Sequence, residues 1–234
     1  MDFSSIQDID LQVLQWFNGS NNVVLDQMAQ LLTSGLTWIP LYIVLFIIVM
    51  RNNETMGQIA LIVGAAIVCV LFSDGLADGV IKPLAARVRP VNDPTIKYSL
   101  HIVSHTLLKD FSFCSAHAAN TMALAVFFSL LVRSKMVTFT LLAWSLLNCW
   151  TRLYLGVHYP SDILCGLLLG IIIGLVVYLV YHRLYSRISP KIKYISNQYT
   201  STGYDHDDID IFMTVIMVIL LYVIIRGIIM TYYV

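Results

Sequence analysis

The chain has 234 residues, of which 58% are hydrophobic and only 12% charged, and its mean hydropathy is +0.77. That composition excludes an ordinary soluble domain and points to an integral membrane protein. Lysine and arginine balance aspartate and glutamate, 14 against 14, so the basic surplus that a nucleic-acid partner requires is missing and none is expected.

The N-terminal MDFSSIQDID has neither the basic n-region nor the apolar h-region of a cleaved signal, and is expected to belong to the mature protein. Leu11, Leu14, Trp16 and Phe17, set among Asp8 and Asp10, form a segment too short and mixed to span a bilayer; it reads as an interfacial amphipathic helix. A crossing helix needs roughly twenty apolar residues. Stretches that meet this lie near 30–50, 57–80, 117–134, 136–154, 160–182 and 209–231. The first, LLTSGLTWIPLYIVLFIIVM, carries Trp38 and Pro40 and ends at Arg51.

Between the second and third spans, residues 91–113 alternate polar and apolar side chains and suggest an interfacial loop or short helices. Of the cysteines, Cys69, Cys149 and Cys165 fall in apolar runs and Cys114 beside a polar cluster, which is neither a disulfide framework nor a metal knuckle. Gly166, Gly170 and Gly174 lie four apart on one stripe of the fifth span, where small residues allow close helix packing. A polar linker, 184–208, precedes the last span. The expected architecture is all-α, a polytopic membrane bundle of about six transmembrane helices. It divides into a membrane domain over 1–183, a cytoplasmic linker over 184–208 and a C-terminal transmembrane helix over 209–234. No internal repeat is visible.

Tracing the spans puts the ends of the second and fourth, and the starts of the third and fifth, on one side. The other side collects Arg51, Arg133, Lys135, Arg183, Arg187, Lys191 and Lys193, against Lys82, Arg87, Arg89, Lys97, Lys109 and Arg152. With Lys82, Arg89 and Arg152 set aside as candidate site residues, the positive-inside rule makes the first group cytoplasmic. The site side then faces the periplasm or exterior of a bacterial inner membrane.

Three segments converge on that side: KPLAARVRP (82–90), CSAH (114–117) and TRLYLGVHYPSD (151–162). Ionisable residues at membrane depth are costly, and three clusters at one level suggest a shared partner. Lys82, Arg89 and Arg152 supply positive charge, and a guanidinium fork matches phosphate oxygens. Ser115, Ala116 and His117 stand where the third span begins, so the backbone N–H groups and the helix dipole favour an anion there. His158 and Asp162 are four apart with Pro160 placed to start the fifth helix, so the carboxylate can accept the imidazole Nδ1–H and leave Nε2 free to attack. His117 is the natural acid for a departing oxygen. Taken singly, an interfacial arginine more often snorkels, a histidine is more often a satisfied polar group, and an aspartate after proline is often a helix cap. Their convergence is what favours chemistry.

Lys82-x6-Arg89-Pro90, then Ser115-x-His117, then Arg152-x5-His158-x3-Asp162 resemble the three signature motifs of the type-2 phosphatidic acid phosphatase superfamily, which includes lipid phosphatases and is related to vanadium haloperoxidases and bacterial acid phosphatases. The resemblance implies a metal-independent phosphatase without cofactor. In it His158 forms a phosphohistidine with the help of Asp162, and His117 protonates the leaving group and later activates water. Lys82, Arg89, Ser115, the Ala116 backbone N–H and Arg152 would bind the phosphoryl oxygens, more tightly in the transition state than in the substrate. The sequence departs from the family pattern at two points: Pro-Ser-Gly-His reads Cys-Ser-Ala-His, and the serine before the third-motif arginine is Thr151. Neither removes a catalytic group.

Asp74 and Asp78 precede Lys82 at four-residue steps, and a structural role is favoured for them. His101 and His105 have the spacing of a metal pair but no third ligand, so headgroup contact or solvation is expected. His182 and His206 fall on the opposite side with no role. The expected substrate is an amphiphile of the bilayer. An undecaprenyl diphosphate or a lipid A phosphate ranks above a glycerolipid phosphate. The rivals are a phosphotransferase using the same phosphohistidine, a haloperoxidase, disfavoured because the chain has no large soluble domain, and a non-catalytic lipid-phosphate binder or transporter.

Overall fold

The computed structural model describes residues 3–18, 20, 22–103, 111–188 and 198–232. Helices dominate: α1 (Phe3–Phe17), α2 (Val23–Thr33), α3 (Ile39–Arg51), α4 (Met56–Leu76), a π-helical turn (Ala77–Ile81) leading into the short α5 (Lys82–Ala85), α6 (Ala116–Val132), α7 (Lys135–Tyr154), α8 (Pro160–Ile188) and α9 (His206–Thr231). Extended pairing among the described residues amounts to one bridge, Tyr199 with Asp205.

Local chemistry starts these helices where they start. Asn22 accepts the N–H groups of Val24 and Leu25 at the head of α2. Thr55 and Gln58 form a reciprocal capping box on α4. Pro160 opens α8, where its fixed φ suits a helix and its missing N–H costs nothing.

Helix α6 is the axis of the bundle, with α7, α8 and α4 packed around it. The glycine stripe makes the tightest seam. A Cβ on Gly166, Gly170 or Gly174 would come within 2.5, 2.5 and 2.7 Å of the backbone oxygens of Ser115, Ala119 and Ala123. No side chain fits there, and the packing reading of the stripe accounts for all three. Helix α9 lies against α2 and α3 and adds Ile209, Phe212, Ile216, Ile219 and Val223 to the main core.

Among the described residues three helices are long and apolar enough to cross a membrane, Met56–Ala85, Pro160–Ile188 and His206–Thr231. The expected first span, 30–50, is not one straight helix. It breaks at Ser34 between α2 and a 3-10 turn (Gly35–Trp38), and the two arms bend by 68°. Pro40 is the cause: continued inward, the helix would drive the proline ring into the carbonyl of residue 36, so a new helix begins just before it. Thr37 Oγ1 and Trp38 Nε1 donate to the carbonyls of Leu31 and Leu32, at 2.6 and 2.8 Å, and satisfy the groups the break exposes. Counting the bent pair gives four spans by length and composition. Helix α6, with 17 residues, is shorter than these and mostly buried, and α7 ends in the polar Asn148, Thr151 and Arg152, all buried.

The segment expected to lie at the interface is α1, which docks on α7 and α8 with Leu14 and Asp10 buried and Trp16 exposed. The loop expected at the interface, 91–113, follows α5; 3-10 turns form at Pro90–Asn92 and Lys97–Ser99, and 104–110 lie outside the described residues. Asn18 ties it down by donating to the carbonyls of His101 and Tyr154 and accepting the N–H of His101.

Candidate active site

The three motif segments meet at the end of the bundle formed by α5, the start of α6, the end of α7 and the start of α8. The π-helical turn delivers Lys82, which is buried with its Nζ 2.7 Å from the half-exposed Asp78. Ala86, at φ 45°, then ends α5 in the left-handed region and turns Arg87 to Arg89 back toward the bundle.

Arg89 is buried. Its Nη1 donates to the Val157 carbonyl at 3.0 Å and lies 3.2 Å from His158 Nε2. His158 sits in the connection between α7 and α8, whose backbone folds over through Gly156 at φ 67°, a conformation that favours glycine. Its ring is 1% exposed. Burial holds the imidazole well below its ordinary pKa; Arg152 and Arg89 push the same way, against the opposing pull of Asp162. A neutral ring keeps the lone pair that a nucleophile needs.

Asp162 is fully buried and is the hub of the site. Its Oδ2 accepts the Tyr159 N–H at 2.8 Å, the return half of a capping box on α8, and also accepts the Ser112 hydroxyl. Its Oδ1 accepts Arg87 Nη1 at 2.8 Å. Its backbone carbonyl accepts the Ser115 N–H at 3.1 Å, which joins the second and third motifs. His158 Nδ1 stands 3.5 Å from Oδ2 and makes no hydrogen bond, so the two groups the spacing pairs are adjacent without the expected Nδ1–H link, and Nε2 faces Arg89.

Ser115 caps α6, its hydroxyl accepting the Ala118 N–H. The N–H groups of Ala116 and His117 fall in the first turn, where no intrahelical acceptor exists. His117 is exposed, within electrostatic range of Arg152, Lys82, Arg89 and Asp78. Arg152 is buried and donates to Thr33 Oγ1 at 2.8 Å, which reaches α2. Thus Lys82, Arg89, Ser115, Ala116, His117, Arg152, His158 and Asp162 share one end of the molecule, and Arg89, His158, Asp162 and Ser115 form a continuous chain of contacts. This end can bind an anion against a neutral imidazole.

Other polar residues are structural. Asp74 accepts from Asn120 at 2.7 Å and links α4 to α6, as the structural reading anticipates. His101 is partly exposed, and its Nε2 lies 3.0 Å from Asp26, which also accepts the Tyr154 hydroxyl. His105 lies outside the described residues, as do Lys109, Lys191 and Lys193. Among the described residues no three His, Cys, Asp or Glu side chains are grouped to hold a metal. Sequence reasoning overlooked Arg87, Ser112, Ser161 and Asp10. For Asp10 a signal existed: it stands four residues before Leu14, on the stripe of α1 that had to be buried.

Residues 58–186, more than half of the chain, match the PAP2 superfamily. The chain belongs to that superfamily. A lipid A 4'-phosphatase of Bacteroides thetaiotaomicron is 32% identical over 70% of this chain and 72% of its own. One from Porphyromonas gingivalis is 32% identical over 69% of this chain and 68% of its own. Among solved structures, Aquifex aeolicus LpxE covers 71% of this chain and 93% of its own with a TM-score of 0.53 at 24% identity. The PAP2-type phosphatidylglycerolphosphate phosphatase of Bacillus subtilis covers 80% and 90% with a TM-score of 0.58 at 22% identity. These two share the fold. This PAP2 protein is therefore a membrane phosphatase, and all eight motif residues lie within the matched segment.

Proposed function

We propose that this PAP2 protein removes a phosphate monoester from the headgroup of an envelope lipid, with lipid A the foremost candidate, through a phosphohistidine at His158. The observation that carries the reading is the contact of a buried imidazole with Arg89, Nε2 to Nη1 at 3.2 Å, at the end where Lys82, Arg89 and Arg152 are buried together. The two 32%-identical relatives that act on lipid A support the substrate.

In the reaction, Nε2 of His158 attacks phosphorus and the bond from phosphorus to the lipid oxygen breaks. His117 gives that oxygen its proton. Water then attacks the phosphohistidine, His117 takes up a proton from it, and inorganic phosphate leaves with the histidine restored. Lys82, Arg89, Arg152, the Ser115 hydroxyl and the Ala116 N–H hold the phosphoryl oxygens as charge spreads over them. Asp162 stabilises the positive charge that His158 acquires on attack. No step calls on a metal.

The opposite end, which carries Arg51, Arg133, Lys135, Arg183 and Arg187, is cytoplasmic in this reading, which sets six crossings, with α6 and α7 among them, and turns the site to the periplasmic headgroup layer. The test is phosphate release by purified protein in nanodiscs containing excess chelator, from lipid A, undecaprenyl diphosphate and phosphatidylglycerol phosphate. Lipid A is expected to be hydrolysed fastest. Faster release from the diphosphate would replace the substrate, dependence on added divalent ions would remove the metal-free mechanism, and no release from any of them would remove the hydrolase reading.

A further inference from the structure

We propose that Asp10 and Arg87 are positioning residues for His158, and that α1, which lies outside the matched superfamily segment, thereby forms part of the active centre; this rests on the phosphatase reading above. Asp10 is a buried carboxylate on an otherwise apolar stripe of α1, and such a group is tolerated only where strong partners meet it. Its Oδ1 accepts the Ser161 N–H at 2.9 Å, at the head of α8, where a negative charge also suits the helix dipole. Its Oδ2 accepts the Ser161 hydroxyl and Arg87 Nη2, the latter at 2.7 Å.

The Arg87 guanidinium bridges two carboxylates. Nη1 reaches Asp162 Oδ1 at 2.8 Å and the Ser161 hydroxyl at 2.6 Å, while Cζ lies 3.7 Å from the centre of the Tyr159 ring. Its carbonyl accepts the Ser112 N–H at 2.8 Å, and Ser112 in turn donates its hydroxyl to Asp162 Oδ2. Both oxygens of Asp162 are therefore set, directly or through Ser112, by Arg87. The carboxylate that faces His158 Nδ1 cannot shift without Arg87 shifting, and Arg87 is held from behind by Asp10. Asp10 is linked to His158 through Arg87 and Asp162, which makes it a positioning residue and not a catalytic one.

A purely structural clasp would show itself in stability alone, so the test separates docking from positioning. Asp10→Asn, Arg87→Lys and Leu14→Ala are compared in the full-length protein in nanodiscs, with melting temperature, KM and the single-turnover rate of phosphoenzyme formation measured on the best lipid substrate. Leu14→Ala removes apolar contact of α1 and should lower the melting temperature with the phosphorylation rate of folded protein unchanged. Asp10→Asn and Arg87→Lys should lower that rate roughly 10- to 100-fold, as expected for a displaced reacting group, with KM within about twofold. If Asp10→Asn does not fold, Arg87→Lys decides on the same readout. Wild-type phosphorylation rates in the folded variants would overturn the proposal, as would losses matching only the fall in folded fraction. A wild type that forms no phosphoenzyme fails the phosphatase reading itself, a different outcome.

Discussion

The two ends of this bundle handle charge in opposite ways. At one end Arg51 is 58% exposed and pairs with Asp208 at 3.1 Å, and Arg133 donates to the Tyr178 hydroxyl while remaining exposed. Water stabilises the cations there, while the buried Asp208 carboxylate is held by Arg51 and by the Asn52 amide at 2.6 Å. At the other end Lys82, Arg89 and Arg152 are buried, a costly state that is kept where an anion is to be bound. The contrast teaches where a membrane protein's charges are incidental and where they are maintained for use.

The comparison breaks most sharply with arginine. Arg89→Ala should lower kcat/KM for phosphate release about 10²- to 10³-fold, the scale of losing one preorganised donor to a developing oxyanion, whereas Arg51→Ala should leave it within about twofold. Comparable losses at both ends would erase the distinction.

The glycine seam runs between the ends and sharpens it further. Gly166→Val and Gly174→Val each force a side chain into a backbone oxygen, and both should cost roughly 1–3 kcal/mol of stability. The oxygen beneath Gly166 belongs to Ser115, so only this variant should also lose activity per folded molecule; thermal melts with parallel assays separate the two effects.

A smaller effect concerns pH. Because His158 is held neutral in the folded protein, the unfolded chain binds a proton there first as pH falls. Its stabilising contribution is complete above the ordinary histidine pKa of about 6.5 and declines below it. The wild type should therefore lose more melting temperature between pH 7 and pH 5 than His158→Gln; equal losses would contradict the neutral ring. The smallest change is at the far end, where Thr55→Ala removes a capping box and should cost about 1 kcal/mol with no change in turnover.

Much of this was legible in the residues. Four-residue spacing put Asp162 under His158, and the ends of apolar runs put the motif segments at one level, because helical period and bilayer thickness are local properties. The glycine stripe was legible for the same reason. Pro40 was visible too, but its consequence, a break at Ser34, depends on side chains that satisfy the freed carbonyls. Asp10 and Arg87 escaped because they are 77 residues apart and meet only after α1 folds onto α8. His101 escaped likewise, since Asp26 reaches the loop that carries it from α2.

The central claim, a covalent step at His158, is tested most directly by quenching the enzyme in alkali during turnover of phosphate-labelled lipid and locating the label. The account predicts an acid-labile, alkali-stable phosphate on His158, increased in His117→Ala and missing in His158→Ala, which should not turn over. Label on another residue, or a His158→Ala enzyme that releases phosphate at the wild-type rate, would contradict it.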